Sequence, residues 1–587
     1  MRKALVDRWS LRLPLRQAIE TLVIAVLLGT IHFASASVFQ DFYWKDWRGI
    51  RWIAILMSLC PMALGYLLLR FAFPPLIAAT LLGVLSFALG YIHWTKLGLT
   101  AEPLVWADLR STNNYSIVFH YLSVSSSLLL LLLTMIIFAS AFRARRTWWA
   151  SLVRGSHLRI VGCCVLLPIV LSPYAVFLNG KIAGWVEFGL KQGGVDYVYW
   201  DWDGNVKKNG LLFHLVQTSV RRLPNVPSPS EVQEFTSLSQ PQVEGLARPP
   251  HIIAILCESC WHDAQFFSDS FSPLVERGFV SFRTISPVYG GNTANASFEF
   301  LTGLPSQGGG LKGIVYQEYA DFMRPDVYAL PRSLVGAGYQ TVVIHNHKRK
   351  FWNRDKVKPK LGFQSFISLE NMPHDGSPFW ADDAYLYDAA LNVIKESKSS
   401  PLFLYLITVY NHGGYKGGND FGASDYHRRL SFSIKRMASF VDAARKEIPD
   451  ALFVVYGDHK PGLTRFFYEN NVLTKEQFDL VGNLNESFKF SSSGSLEVRG
   501  DVPAYAAYPA KDRLKRFAEQ ASGKPLFCLS YALNSEFLHA GLPALEYAKR
   551  KSLCDRPPSG NYREVVTAYP PWLYYLSMFG NQQLLPK

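Results

Sequence analysis

Apolar positions are arranged in two different ways along the chain. Over roughly the first 180 residues they form long runs, and five segments, Ala18–Phe39, Trp52–Leu69, Phe71–Trp94, Val124–Phe142 and Ile160–Leu178, read as membrane-spanning helices. From His251 onward the runs are short and nearly continuous: HIIAILCES, QTVVIHNH, PLFLYLITVYNH and ALFVVYGDH. Strands buried on both faces look like this, because neither face needs polar residues. The stretches between them, such as ADDAYLYDAALNVIKES and YHRRLSFSIKRMASFVDAARKEI, have the amphipathic pattern of covering helices. The predicted architecture is a multi-pass α-helical membrane domain of five spans followed by an α/β domain with a mostly parallel sheet.

The segment joining the two parts contains an aromatic stretch, DYVYWDWDGN, a helical stretch, GLLFHLVQTSVRRL, and a Pro/Ser-rich stretch, PNVPSPSEVQEF. The expected division is 1–178 for the membrane domain, 179–249 for juxtamembrane helices and a hinge, and 250–587 for the α/β domain. The first apolar run is not read as a cleaved leader, since further runs follow it and no small-residue cleavage site stands out.

Charge sets the orientation. Arg2, Lys3, Arg8, Arg12 and Arg16 precede the first run, and Arg143, Arg145, Arg146, Arg154 and Arg159 lie between the fourth and fifth. Basic loops stay in the cytoplasm, so an odd number of spans carries everything after Leu178 to the outer side. The net charge of +14 owes part of its value to these arginines. No nucleic-acid motif accompanies it. On the outer side disulfides are permitted, and Cys528 with Cys554 is a plausible pair.

The polar residues at the ends of the four short runs carry the candidate chemistry: Glu258, His345 with His347, His412, and Asp458 with His459. Open α/β sheets bind ligands at the carboxyl ends of their strands. In VYGGNTANASFEFLTGLPS, Gly290 and Gly291 precede a helix start at Asn292 or Thr293, which Gly303 and Pro305 end. A helix start suits a phosphate, and here it also offers the Thr293 hydroxyl. Glu258, Asp458 and His459 with Thr293 make an oxygen and nitrogen ligand set suited to one divalent cation. Coordination lowers a hydroxyl's pKa, so Thr293 is expected both to cap the helix and to attack phosphorus.

Taken together, AILCES, YGGNTANASFEFLTGLPS, FWNRD, VVYGDH and NGLLFHLVQTS, in this order behind five apolar runs, resemble the lipoteichoic acid synthase-like phosphoglycerol transferases. These belong to the alkaline phosphatase and sulfatase superfamily. The resemblance covers most of the chain up to about residue 470. It implies a sulfatase-type fold and a bacterial inner-membrane protein with its catalytic domain on the periplasmic or extracellular side. It also implies Glu258, Thr293, Asp458 and His459 as metal ligands, with Thr293 the nucleophile. Manganese is the expected ion, zinc or magnesium the alternatives. Trp352 and Arg354 match positions that hold the phosphoglycerol headgroup, and His412 matches a substrate-side histidine. His345 matches another, although IHNHKRKFWNRD departs from the family's wording and leaves His347 as an alternative. His347 and the basic residues after it otherwise read as a solvated turn.

The implied reaction moves phosphoglycerol from phosphatidylglycerol to a hydroxyl of a glycan, such as a periplasmic glucan, or of a glycerophosphate polymer. A phosphoethanolamine transferase is the alternative within the same chemistry, and a non-catalytic membrane sensor or scaffold the alternative outside it. A sulfatase would need a cysteine or serine where Thr293 stands. Cys257 and Cys260 bracket Glu258 in a C-x-x-C spacing that also fits a thiol–disulfide oxidoreductase or extra metal ligands. Strand alternation instead sends Cys257 away from Glu258, into packing, and leaves Cys260 nearer the site.

Overall fold

The computed structural model describes most of residues 52–106, 156–239 and 250–580. The chain separates into two compact units, Met1–Arg222 and Leu223–Lys587.

In the first unit, helices Trp52–Leu69, Pro75–Thr100 and Ser156–Val170 fall on the second, third and fifth apolar runs. Shorter helices follow at Gly180–Gln192, Trp202–Asn209 and Leu211–Ser219. Among the described residues no helix is long and apolar enough to cross a membrane. The expected spans Ala18–Phe39 and, apart from Met135, Val124–Phe142 lie outside the described residues.

The second unit begins with a correction. The stretch expected to be a hinge contains a helix, Pro229–Leu238, started by a capping box between Ser228 and Glu231. Phe235 and Leu238, three positions apart, share one face and are buried in the core of the α/β domain. Arg550 ties the far side down through a 2.8 Å bond to the Ser237 hydroxyl. Two apolar residues in a polar stretch were too weak a period to show this beforehand.

Eight strands form the main sheet: β1 (Ile252–Cys257), β2 (Val280–Ile285), β3 (Gln340–His345), β4 (Ser365–Ser368), β5 (Leu402–Ile407), β6 (Leu452–Gly457), β9 (Asp501–Ala507) and β10 (Lys524–Pro525). A two-stranded ribbon, β7 (Phe478–Leu480) with β8 (Phe488–Phe490), stands apart. The order across the main sheet is β10-β2-β9-β6-β1-β5-β3-β4. The consecutive strands β6, β1, β5 and β3 are mutually parallel, with Cys257 beside Gly457 and Ile253 beside both Leu404 and Phe453. They are the four runs singled out in the sequence, and the sheet brings their carboxyl ends to one edge. β9 is antiparallel to both β2 and β6.

Each face of the sheet has its own core. Ile252, Ala254 and Leu256 join one cluster with Phe298 and Phe300 of the Thr293–Thr302 helix. Ile253, Ile255 and Cys257 join the other, under the helices Asp383–Glu396 and Ala423–Glu447. Residues of β1, β5 and β6 are buried at every position, which explains why their sequences show no alternation. Each such Leu, Ile or Phe contributes about 1.5–3 kcal/mol by leaving water. The helix that starts at Thr293 is therefore anchored by its own core residues one and two turns below the site.

Cys528 and Cys554 form a disulfide with Cα atoms 5.4 Å apart. Cys257 and Cys260 are also joined, both buried in the second core. Cys257 does point into packing as expected, but Cys260 turns back to meet it rather than standing at the site.

Candidate functional site

Glu258 follows β1 directly, and Asp458 and His459 follow β6. Because β1 and β6 are neighbours, their ends deliver two carboxylates and an imidazole to one point, their ligand atoms all within 4.8 Å of one another. Thr293, from the first turn of its helix, completes the group: its hydroxyl donates to Asp458 Oδ2 at 2.7 Å and stands 3.3 Å from Glu258 Oε2. All four residues are at most 3% exposed.

Neighbouring groups hold this cluster in place. Asp458 Oδ1 accepts from the backbone amides of Ser259 at 2.7 Å and His459 at 2.8 Å. The Ser259 hydroxyl donates to Glu258 Oε1 at 2.8 Å, and the Glu258 amide donates to the Thr408 hydroxyl at 2.9 Å. Ser259 takes a left-handed backbone (φ 52°) inside the loop that the Cys257–Cys260 disulfide closes. Gly457 leaves room for that loop, since a Cβ there would stand 2.4 Å from the Cys260 carbonyl oxygen.

The donor set fits a divalent cation. His459 Nδ1 lies 2.8 Å from the Lys460 carbonyl, which only accepts, so Nδ1 carries the proton. Nε2 is buried without a hydrogen-bond partner, 3.2 Å from Asp458 Oδ2 and 3.5 Å from Glu258 Oε1. An imidazole nitrogen without a hydrogen-bond partner beside two carboxylate oxygens marks a place for a positive charge. Burial first, then the charge of Asp458, pushes the Glu258 carboxyl up to about 8. A hard-to-borderline set of oxygens with one imidazole nitrogen suits manganese, zinc or magnesium.

Thr293 does not cap its helix. The N-cap position is Asn292, left-handed at φ 65° and making no side-chain cap bond, while the threonine hydroxyl is turned to the carboxylates. Gly290, at φ 66°, donates its amide to the Lys460 carbonyl and so fastens the approach loop to the β6 end. Gly291 has open space where a Cβ would stand. The start of such a helix has free backbone N–H groups that suit an anion.

The remaining predicted residues end or follow the next strands of the sheet, β3 and β5. Arg354 begins the helix Arg354–Lys360 and is 2% exposed, its guanidinium over the rings of Phe351 at 5.3 Å and Trp352 at 4.9 Å. Trp352 and Asn353 are both left-handed, at φ 53° and 52°, a costly backbone for two consecutive residues with side chains. FWNRD is therefore not a routine helix cap. His345, at the end of β3, directs Nδ1 to the Ile407 carbonyl at 2.8 Å. The charge of Arg354 helps to lower His345, His347 and His412 alike, after burial in each case, and the charge of Asp458 reaches His412. The three imidazoles, the arginine and the metal cluster thus share one electrostatic neighbourhood, with the imidazoles neutral.

His347 is a further correction: it is buried, not part of a solvated turn, and lies down to about 3. Its ring lies 5.7 Å from that of His345. Sequence reasoning missed Trp380, whose indole stacks on His412 at 3.7 Å and 16°. It also missed Lys358, fully buried among Tyr316, Phe363 and Tyr405 and donating to Ser297 of the Thr293 helix at 3.1 Å. The one available signal for Lys358 was its spacing, four residues after Arg354 on the same helix face.

The sheet and its converging strand ends define a class, an α/β domain with a candidate cation site beside a hydroxyl at a helix start. Residues 250–480 match the Sulfatase family, in keeping with the class that the motifs imply. Two proteins of Rhizobium meliloti are similar to the chain. One, named for cyclic β-1,2-glucan modification, is 24% identical over 332 residues, 53% of this chain and 51% of that protein. The other, capsular polysaccharide biosynthesis protein RkpI, is 26% identical over 424 residues, 67% of this chain and 74% of that protein. The chain spans about half the length of the first relative. Among solved structures, the Streptococcus pyogenes phosphoglycerol transferase GacH aligns with a TM-score of 0.42 and 17% identity, over 61% of this chain and 96% of that one.

Proposed function

We propose that the chain is a membrane-anchored phosphoglycerol transferase that moves the headgroup of phosphatidylglycerol to a glycan hydroxyl through a covalent intermediate on Thr293. The observation that carries this is the placement of the Thr293 hydroxyl within 3.3 Å of both Glu258 and Asp458, whose carboxylates also approach Nε2 of His459. A hydroxyl needs no such company to cap a helix; it does need it to become a nucleophile. A cation held by Glu258, Asp458, His459 and Thr293 supplies the charge that makes the alkoxide accessible and offsets charge on the phosphoryl oxygens.

In the first step the Thr293 Oγ–P bond forms as the bond from phosphorus to the diacylglycerol oxygen breaks. The proton lost by Thr293, already shared with Asp458, balances the one diacylglycerol takes up. In the second step an acceptor hydroxyl gives its proton to neutral His412 and attacks phosphorus, and Thr293 leaves and is reprotonated. Arg354 holds the non-bridging phosphoryl oxygens with its planar fork, and Trp352 walls the glycerol.

Charge supports a glycerol headgroup: buried Arg354 and three neutral imidazoles can donate to and accept from glycerol hydroxyls, whereas an ethanolamine ammonium would lie near the positive charge of the arginine. A phosphoethanolamine transferase is accordingly the second reading. The relatives named for glucan modification and capsular polysaccharide biosynthesis support a glycan acceptor. The five apolar runs support anchoring in the membrane that holds the donor, with the catalytic domain on its outer side.

The test is transfer by the full chain in nanodiscs from phosphatidylglycerol or phosphatidylethanolamine, each labelled in the headgroup, with a β-glucan as acceptor and manganese present. Label from phosphatidylglycerol should reach the glucan. Label moving only from phosphatidylethanolamine would replace this reading by the second.

A further inference from the structure

Two loops bring the substrate-side histidines to the site. One, His345–Asn346–His347, leaves β3; the other, Val409 to His412, leaves β5. His345 ends β3 and the rest of both loops lies outside helix and strand; Asn411 of the second donates to the Glu258 and Ser259 carbonyls at 3.3 Å each. Both loops converge on a single carboxylate. Asp383, at the start of the helix Asp383–Glu396 and 1% exposed, accepts at Oδ1 from Asn346 Nδ2 at 3.0 Å and from the backbone amides of Val409 at 3.1 Å and Tyr410 at 3.2 Å. Its Oδ2 accepts from the Ser433 hydroxyl at 2.6 Å.

The residues just before it continue the same task. Asn346 Nδ2 also donates to the Ala381 carbonyl at 3.0 Å. Trp380 stacks on His412 at 3.7 Å and lies 5.8 Å from the ring of His347. The His412 amide closes its loop onto the Val409 carbonyl at 3.0 Å. A buried carboxylate with four donors costs too much to be incidental, and three of those donors belong to the histidine loops.

We propose that Asp383 and Trp380 are the positioning residues of the substrate side: Asp383 locks the two histidine loops together, and Trp380 fixes the plane of His412. The four partners of Asp383 include none of Glu258, Asp458 and His459. Loss of Asp383 or Trp380 should therefore misplace His347 and His412 while leaving the cation cluster intact. The proposal rests on the phosphoglycerol-transfer reading for what the histidines do, and on geometry alone for how they are held.

Asp383 makes an unusual prediction about its own replacement. Only a hydroxyl faces Oδ2, and a hydroxyl can turn to accept instead of donate. Asp383→Asn can keep all four contacts, with its Oδ1 toward the loops and its amide toward Ser433, whereas Asp383→Ala loses all four.

The experiment uses the full chain in detergent with three readouts: manganese affinity, the KM for phosphatidylglycerol against kcat, and the rate at which diethylpyrocarbonate modifies His412, read by peptide mass spectrometry. Asp383→Ala and Trp380→Ala should raise KM or lower kcat by about tenfold or more, as expected for misplaced groups. They should also expose His412 to roughly tenfold faster modification, and leave manganese affinity within about twofold. Asp383→Asn and Trp380→Phe should recover most of both losses. Unchanged His412 modification in both alanine variants would overturn the proposal, as would a parallel collapse of manganese affinity, which would mark a general loss of fold. If Asp383→Ala does not fold, Trp380→Ala compared with Trp380→Phe carries the same two outcomes. The modification readout needs no turnover, so a wild-type chain that transfers no phosphoglycerol would refute the function proposed above without deciding the positioning.

Discussion

Thr293 and Asp458 are 165 positions apart in the chain, yet the hydroxyl of one donates to Oδ2 of the other at 2.7 Å. The threonine arrives on a helix packed against one face of the sheet, the aspartate just after a central strand of it. Their meeting couples the candidate nucleophile to the cation cluster, so a change at Asp458 should be felt twice. Asp458→Asn preserves size and most hydrogen bonds but removes a charge. It should weaken manganese binding by about 100-fold or more, since even indirect partners of a ligand cost 10–100-fold. Isothermal titration of the full chain checks this. Unaltered affinity would remove Asp458 from the cation site.

Protons and the cation compete at Glu258. Without a cation, burial and Asp458 raise this carboxyl from its ordinary 4.5 to about 8. Binding must displace that proton, so manganese affinity should climb by up to about tenfold per unit as pH rises towards 8, and level off above it. Stability of the cation-free chain should move the other way. The folded form binds the proton more tightly than the unfolded form, so this group's contribution falls as pH rises from 4.5 to about 8. Titrations and thermal melts between these limits check both signs. Affinity that is flat with pH would show that Glu258 is ionised before the cation arrives.

Arg354 is stacked over two aromatic rings and buried, a setting that suits a planar guanidinium and not a lysine ammonium. Arg354→Lys should keep the charge and still lose about 10–100-fold in kcat/KM for phosphatidylglycerol, through the lost bidentate contact. Manganese affinity should not move. Equal activity in the lysine variant would mean that Arg354 serves only as a positive charge.

The Cys528–Cys554 disulfide closes a loop of sequence separation 26, far along the chain from every site residue. Replacing both cysteines by alanine should lower stability by about 3 kcal/mol. Activity per folded molecule should be unchanged. A loss of kcat at a temperature where the variant is fully folded would contradict a purely structural role.

Much of this arrangement was legible because it lies in order along the chain. The four parallel strands could be read from continuous apolar runs, and the residues at their ends from the polar letters that stop each run. Their convergence followed from topology: parallel strands put all their carboxyl ends on one side. What could not be read depends on partners distant in sequence. β9, DVPAYAA, is too small-sided to announce a buried strand between β2 and β6. Asn292 and Thr293 are equally good caps as letters, and only the position of Asp458 shows which way the threonine turns. His347 looks solvated beside Lys348, Arg349 and Lys350. It is buried because Phe351 and Trp380 close on it, at 4.6 Å and 5.8 Å. Trp380 sits in a stretch with no period at all, and its role appears only once His412 is placed.

The central claim is that Thr293 accepts the phosphoglycerol group. Intact-peptide mass spectrometry of the full chain, quenched after incubation with phosphatidylglycerol and manganese, tests it most directly. The account predicts a glycerophosphate adduct on the peptide containing Thr293, absent in Thr293→Ala and absent without the cation. A chain that binds manganese, turns over phosphatidylglycerol and never carries the adduct, or carries it on another residue, would contradict it.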